Sequence, residues 1–206
     1  MALRKKKRLY RGNGNILVTA PAIEPVTADE LRAHLRETAS GLPDTEADEL
    51  IKAAREAIER AIGIALISQT WGMTLDSWPA RARSVDLPRY PVSSVSDVMV
   101  YGSDGVGTAV VINDVFIVDT TRAKGRLSLK YGASWPIAAM SANSIQITYV
   151  AGYGAAHADV PADLRRAVKM SAAYMYSNRG DGCDAGTALA ASGAASIVSA
   201  YRVARI

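Results

Sequence analysis

A chain of 206 residues, 49% hydrophobic and 21% charged, has the size and composition of one folded domain, or of one domain carrying an insertion. A single cysteine, Cys183, excludes an intramolecular disulfide and a cysteine-built zinc site. The formal charge of +4 is set by one segment: Arg4, Lys5, Lys6, Lys7, Arg8 and Arg11 are six of the 24 basic residues, and the other 18 stand against 20 acidic ones. A body this close to neutral argues against a dedicated nucleic-acid-binding domain. Apolar runs fall well short of the ~20 residues of a membrane helix. The N-terminus carries charge but no apolar stretch with a cleavage site, so no secretory signal is expected.

Residues 1–25 read as a basic, flexible, unpacked arm. Arg4 to Arg8 repel one another, Gly12-Asn13-Gly14-Asn15 is permissive, and Pro21 and Pro25 block regular structure. The short run Ile16-Leu17-Val18 has the means to dock as an extended segment. A first helix starts at a capping box, Thr27-Ala28-Asp29-Glu30, with Val26 and Leu31 at the staple positions. Gly41 and Pro43 are expected to stop it. A second helix starts near Asp44 or Thr45. Ile51, Ala54, Ile58, Ala61, Ile62 and Ala65 form its apolar stripe, Glu56 and Arg60 an i,i+4 pair on the wet side, and its end falls within Gly63–Ser68.

From residue 69 the period alternates. Trp71, Met73 and Leu75 share a face, and short strands follow around Val85/Leu87, Val98–Tyr101, Ala109–Ile112, Val115–Val118, Leu127/Leu129/Tyr131 and Ile145/Ile147/Tyr149. This punctuated pattern is an antiparallel β-region. Val160-Pro161 opens a third long helix, whose buried face is Leu164, Ala167, Val168, Ser171, Ala172 and Met175, ending at Gly180. Residues 180–196, rich in Gly, Ala and Ser, read as a tether to a mixed apolar segment, Ile197–Ile206. The fold class is therefore α+β. Residues 26–68 and 159–180 make a small helical bundle from both sides of the chain, 69–158 an inserted antiparallel β-region, and 181–206 a tether with a C-terminal arm.

No constellation of catalytic residues stands out. There is no phosphate-binding G-x-x-x-x-G-K-[ST] and no G-x-S-x-G, and Gly105-Val106-Gly107 reads as a hairpin turn. His34 on a helix flank and His157 in a loop read as solvated or locally bonded. Asp181-Gly182-Cys183-Asp184 matches no zinc or calcium spacing and reads as a loop. Glu46, Asp48 and Glu49 suit the positive end of a helix. Trp71 reads as core, Trp78-Pro79 and Trp135-Pro136 as strand-end anchors. No enzyme, cofactor or metal is expected. The basic arm has three readings: a salt-sensitive phosphate contact, a contact with an acidic protein surface, or a solvated terminus.

An ordered set of segments does carry a resemblance. Leu66-Ile67-Ser68-Gln69-Thr70-Trp71 follows the second helix, then Trp78-Pro79 and Leu87-Pro88-Arg89-Tyr90-Pro91-Val92-Ser93-Ser94-Val95. Gly132-Ala133-Ser134-Trp135-Pro136 and Ile147-Thr148-Tyr149-Val150-Ala151-Gly152-Tyr153-Gly154 come next, then Val160-Pro161, Ser177-Asn178-Arg179 and Ala200-Tyr201-Arg202. Over roughly residues 26–206 this resembles the head–tail connector (adaptor) family of long-tailed bacteriophages and gene transfer agents.

The resemblance implies a structural protein of the virion neck, assembled in the bacterial host cytoplasm, with no membrane partner. It implies a ring, normally dodecameric, beneath the portal protein. Such a ring extends the DNA channel and offers a surface to a tail-side stopper or neck protein. It also implies that the C-terminal segment grips the portal. The residues carried over are Ile197, Val198, Tyr201, Arg202, Val203 and Arg205. The arm residues Arg4, Lys5, Lys6, Lys7, Arg8 and Arg11 lie outside the matched pattern. They remain candidates for a nucleic-acid or protein contact, and the alternative function is a nucleic-acid-binding accessory protein acting through them.

Overall fold

The start signal at Thr27 is made as its residues demand. In the computed structural model, which describes residues 12–122, 124–139, 142–179 and 184–202, helix α1 (Ala28–Leu35) opens with a reciprocal capping box. The Thr27 hydroxyl accepts from the Glu30 N–H at 3.2 Å, and the Glu30 carboxylate accepts from the Thr27 N–H at 3.3 Å. Contrary to expectation, α1 stops well before Gly41. Arg36 takes a left-handed φ of 60° and closes the helix. The Arg32 guanidinium then draws the following link back, donating to Asp29 at 2.6 Å, Asp44 at 2.7 Å and the Leu42 carbonyl at 3.1 Å. Leu42 is buried by that turn.

Helix α2 (Asp44–Ile62) buries Ile51, Ala54, Ile58 and Ile62 and ends at Gly63, whose φ of 80° suits glycine. Glu56 and Arg60 are both exposed as expected, but the Glu56 carboxylate lies 3.6 Å from Arg55 instead. Helix α4 (Ala162–Ser177) lays Leu164, Ala167, Val168 and Ala172 against α1 and α2 to form the first core. Each fully buried Leu or Ile there contributes about 1.5–3 kcal/mol. The expected tether is largely helical: α5 (Ala185–Ala191) and α6 (Ala194–Ser199) complete the bundle. Asp184 caps α5, accepting from the Thr187 N–H at 2.7 Å. The small side chains that made this stretch look structureless let it lie close against α4, with Ala188 and Ala194 fully buried.

The strands between α2 and α4, joined by one strand that precedes α1, form the β-region. One sheet has the order β1-β2-β8-β4-β5, from Gly12–Thr19, Gln69–Leu75, Ile145–Ala151, Val92–Tyr101 and Gly107–Ala109. The other has the order β3-β7-β6, from Ser84–Asp86, Arg126–Leu129 and Phe116–Asp119. Every strand pairing within these two sheets is antiparallel. A short helix α3 (Ile112–Val115) replaces the end of the strand expected over Ala109–Ile112. Trp71, Met73 and Leu75 share the buried face with Val98, Phe116, Leu127, Ile145, Ile147 and Tyr149 in a second core. Trp78 stacks on Trp135 at 4.5 Å and donates to the Pro136 carbonyl at 2.9 Å, so both loops are anchored as read. Gly152, with φ 143°, passes the α2–β2 link so closely that a Cβ would lie 2.5 Å from the Ile67 carbonyl carbon.

The largest correction falls on residues 12–25. They are not unpacked: β1 pairs with β2 from Gly12↔Leu75 to Thr19↔Thr70. Asn15, read as flexible, accepts from the Tyr149 hydroxyl at 2.9 Å. Burial of Tyr149 pushes its hydroxyl above the ordinary range.

In the smaller sheet, Asp119 accepts from the Thr121 hydroxyl at 2.7 Å and from Arg126 at 2.9 Å across the β6–β7 pair. The Thr121 hydroxyl leads in holding its carboxyl below the ordinary range, and the Thr121 N–H and Arg126 add to this. A carboxyl with a lowered folded pKa stabilises the fold above its unfolded value of ~4, and that support is lost as pH falls through the folded value. Asp119→Asn is therefore expected to lower Tm at pH 7. The gap to wild type should close as pH falls below about 4, in melts followed by circular dichroism. A gap that does not narrow as the carboxyl is protonated would show that the carboxylate charge is not the source.

Candidate functional site

Several buried polar groups are joined in one network at the end of α2. The Arg55 side chain on α2 donates to Glu24 at 2.7 Å and to Glu59 at 2.8 Å. The other Glu59 oxygen accepts from the Leu66 N–H and the Gln69 amide, both at 2.8 Å. Arg89 donates to the Glu59 carbonyl at 2.8 Å and lies 4.5 Å over the Trp71 ring. Burial pushes the Glu59 carboxyl up, against the pull of Arg55. Burial also acts to lower the Arg55 guanidinium, but Glu24 and Glu59 together hold it above its ordinary value. This junction joins the segment before α1, the core helix α2 and the first strand of the β-region. The acceptor oxygens of Glu59 already face N–H donors, so the arrangement works as a tie between the two cores.

The remaining chemical candidates also have local roles. His157 Nδ1 lies 2.6 Å from the Glu24 carbonyl oxygen, and His34 is exposed on α1. Glu46 lies 3.7 Å from Arg179, while Asp48 and Glu49 are exposed. Residues 102–105 make the expected hairpin turn, the Gly105 N–H donating to the Gly102 carbonyl at 3.0 Å. Asp181, Gly182 and Cys183 lie outside the described residues. Among the described residues no group of three or more His, Cys, Asp or Glu is placed to hold a metal ion. No helix among them is long and apolar enough to cross a membrane.

The candidate contact residues divide. Val198, only 2% exposed, belongs to the first core, and Ile197 and Tyr201 pack against it half-buried. Those three side chains are turned to the chain's own bundle, so a freely tethered C-terminal arm is corrected as far as residue 202. Arg202 is exposed and donates to the Ala61 carbonyl at 3.2 Å. Val203 and Arg205 lie outside the described residues, as do Arg4, Lys5, Lys6, Lys7, Arg8 and Arg11. The run Ile16-Leu17-Val18 does dock as an extended segment, as expected, but the exposed apolar surfaces it forms part of were not foreseen. Ile16, Leu17 and Val18 are exposed on β1; Val106 and Val111 flank β5; Ile117, Tyr131 and Ile137 are exposed on and near the smaller sheet. The signal available was an apolar run without charges, Ile16-Leu17-Val18, next to a tail with many.

No protein-family model and no curated protein sequence matches the chain. Solved structures do match over nearly the whole fold. A chain of the neck of the empty gene transfer agent particle, computed with C6 symmetry, is 26% identical with TM-score 0.75, covering 94% of this chain and 97% of that one. A chain of the native gene transfer agent virion is 28% identical with TM-score 0.77, over 93% and 96% of the two chains. A chain of the native neck computed with C12 symmetry is 27% identical with TM-score 0.69, over 93% and 97%. Both the bundle and its inserted β-region fall inside that coverage, and so does most of the ordered set of segments read in the sequence. The resemblance therefore holds across the whole fold: this chain is similar to neck and virion proteins of gene transfer agent particles.

Proposed function

We propose that this chain is a structural head–tail connector, located in the virion neck, that assembles as a ring beneath the portal protein. The ring extends the DNA channel and gives the next tail-side protein a docking surface. The observation that carries this is the two-way match to a gene transfer agent neck chain, 94% of one and 97% of the other at TM-score 0.75. The interior supports it. The buried charged groups Arg55 and Glu59 are tied to each other and to neighbouring backbone, which suits a load-transmitting part. The portal contact falls to Arg202 and the residues after it, because Val198 is already committed to the core.

Cryo-microscopy of the particle tests this reading. The expected result is a closed ring of copies sharing the neck's rotational symmetry, with the C-terminal end directed at the portal. Deleting the gene should leave filled or fillable heads without tails. A single copy per particle, or tailed infectious particles without the chain, would overturn the reading.

A further inference from the structure

A closed ring built from one kind of chain needs two different patches per subunit, each complementary to the other on the neighbour. The five-stranded sheet ends in two different open edges. Among the described residues, β1 pairs only with β2, and β5 only with β4. Open edges are commonly protected by charges, prolines or bulges, because unpaired N–H and C=O groups recruit further strands. Neither edge carries a charge or a proline where it is most exposed. Residues 14–19 and 106–111 contain no charged residue and no proline. They also expose Ile16 at 61%, Val18 at 57%, Val106 at 61% and Val111 at 63%.

A third open stretch supplies the contrast. The N-terminal half of β4, beyond the reach of β5, carries Asp97 and register shifts at Val92/Ser94 and Val95/Asp97. β1 also shifts register, at Gly12/Gly14 and Leu17/Thr19, so what sets β1 and β5 apart from this stretch is the absence of a charge.

Strand direction adds a second, independent constraint. All four pairings in this sheet are antiparallel, so the first and fifth strands in its order, β1 and β5, run in the same direction. Subunits of a cyclic ring are related by rotation about its axis alone. Where the strands run near that axis, β1 of one subunit meets β5 of the next in parallel sense, a permitted ladder. Pairing of β1 with another β1 would require a two-fold axis that a cyclic ring lacks.

We propose that the open edge of β1, around Ile16–Val18, docks against the 106–111 edge of the adjacent copy of this chain. The inserted β-regions thereby join into a belt around the ring. The inference rests on the ring reading above and adds the surfaces that close it.

Cross-linking in assembled particles tests it. In a Cys183→Ser background, Ile16→Cys or Val18→Cys is combined with Val106→Cys or Val111→Cys in the same chain, and necks are treated with a short bismaleimide. At least one of the four combinations should give a ladder of multimers on a denaturing gel, while chains with one introduced cysteine stay monomeric. Val18→Lys and Val111→Lys should each lower incorporation into particles at least tenfold. The Tm of the isolated chain should not change, since both side chains are exposed. Assembled necks in which all four combinations remain monomeric would overturn the proposal while leaving the connector reading intact. So would dimers from Val18→Cys alone, which report two-fold pairing. Absence of the chain from particles would overturn both.

Discussion

Glu59→Ala is expected to remove about 3–5 kcal/mol of folding stability, the usual effect of leaving one partner of a buried ion pair alone. Arg55 keeps Glu24 at 2.7 Å but loses Glu59 at 2.8 Å, and the Leu66 N–H and Gln69 amide lose their acceptor in the same step. The effect is larger than for an exposed pair because both side chains are buried. By contrast, the exposed Arg179–Glu46 pair, at 3.7 Å, is worth at most ~1 kcal/mol. A second variant separates charge from hydrogen bonding. Arg55→Met with Glu59→Leu removes the pair together but still strands the Glu24 carboxylate, the Leu66 N–H and the Gln69 amide. It should remain below wild type by about 1–3 kcal/mol per unpaired group. Urea unfolding of the isolated chain measures both. A Glu59→Ala midpoint indistinguishable from wild type would mean that water reaches the junction and that the two cores are held by apolar packing alone.

That junction shows where sequence reading stops. The stripe of α2 was legible from Ile51, Ala54, Ile58 and Ile62, because each apolar residue reports its face directly. Arg55 gives the opposite signal: a charged residue beside the stripe reads as solvated, yet it is buried by partners 31 positions before it and four after it. Thr27 was legible because its cap is closed within three residues. The end of α1 was not, because it is set by Arg32 reaching Asp44, 12 residues on.

The same distinction explains β1. Gly12, Asn13, Gly14 and Asn15 are individually poor strand formers, and what orders them is a partner strand that begins at Gln69 and a tyrosine hydroxyl at position 149. In the bundle, the Gly/Ala/Ser composition of residues 180–196 was read for its flexibility. Its other property, small volume, decides the outcome where α4 leaves room only for Ala188 and Ala194. The resemblance to neck proteins was legible because it rested on an ordered set of segments spanning both cores, and no single local element had to carry it.

The C-terminal helices give the second large effect, and they separate folding from attachment. Truncation after Ala195 removes Val198, whose burial is worth about 1.5–3 kcal/mol, together with the half-buried Ile197 and Tyr201. The truncated chain should therefore unfold at a markedly lower urea concentration, so its failure to join particles would not by itself identify a portal contact. Val198→Ala isolates the packing term. It should lower stability by about 2 kcal/mol through lost burial and the cavity left in the first core. Arg202→Ala isolates the other term. Its side chain is exposed and its bond to the Ala61 carbonyl, at 3.2 Å, lies at the surface, so the urea midpoint should not move. If Arg202 meets the portal, the same variant should weaken attachment by about 1–3 kcal/mol per site, the range of an arginine hot spot, read as chain lost from particles in a salt wash. Attachment lost in proportion to stability across both variants would mean that the portal recognises the folded bundle and not this terminus. Attachment lost with Arg202→Ala at unchanged stability assigns the contact to the exposed end of a segment whose preceding turn is already part of the core.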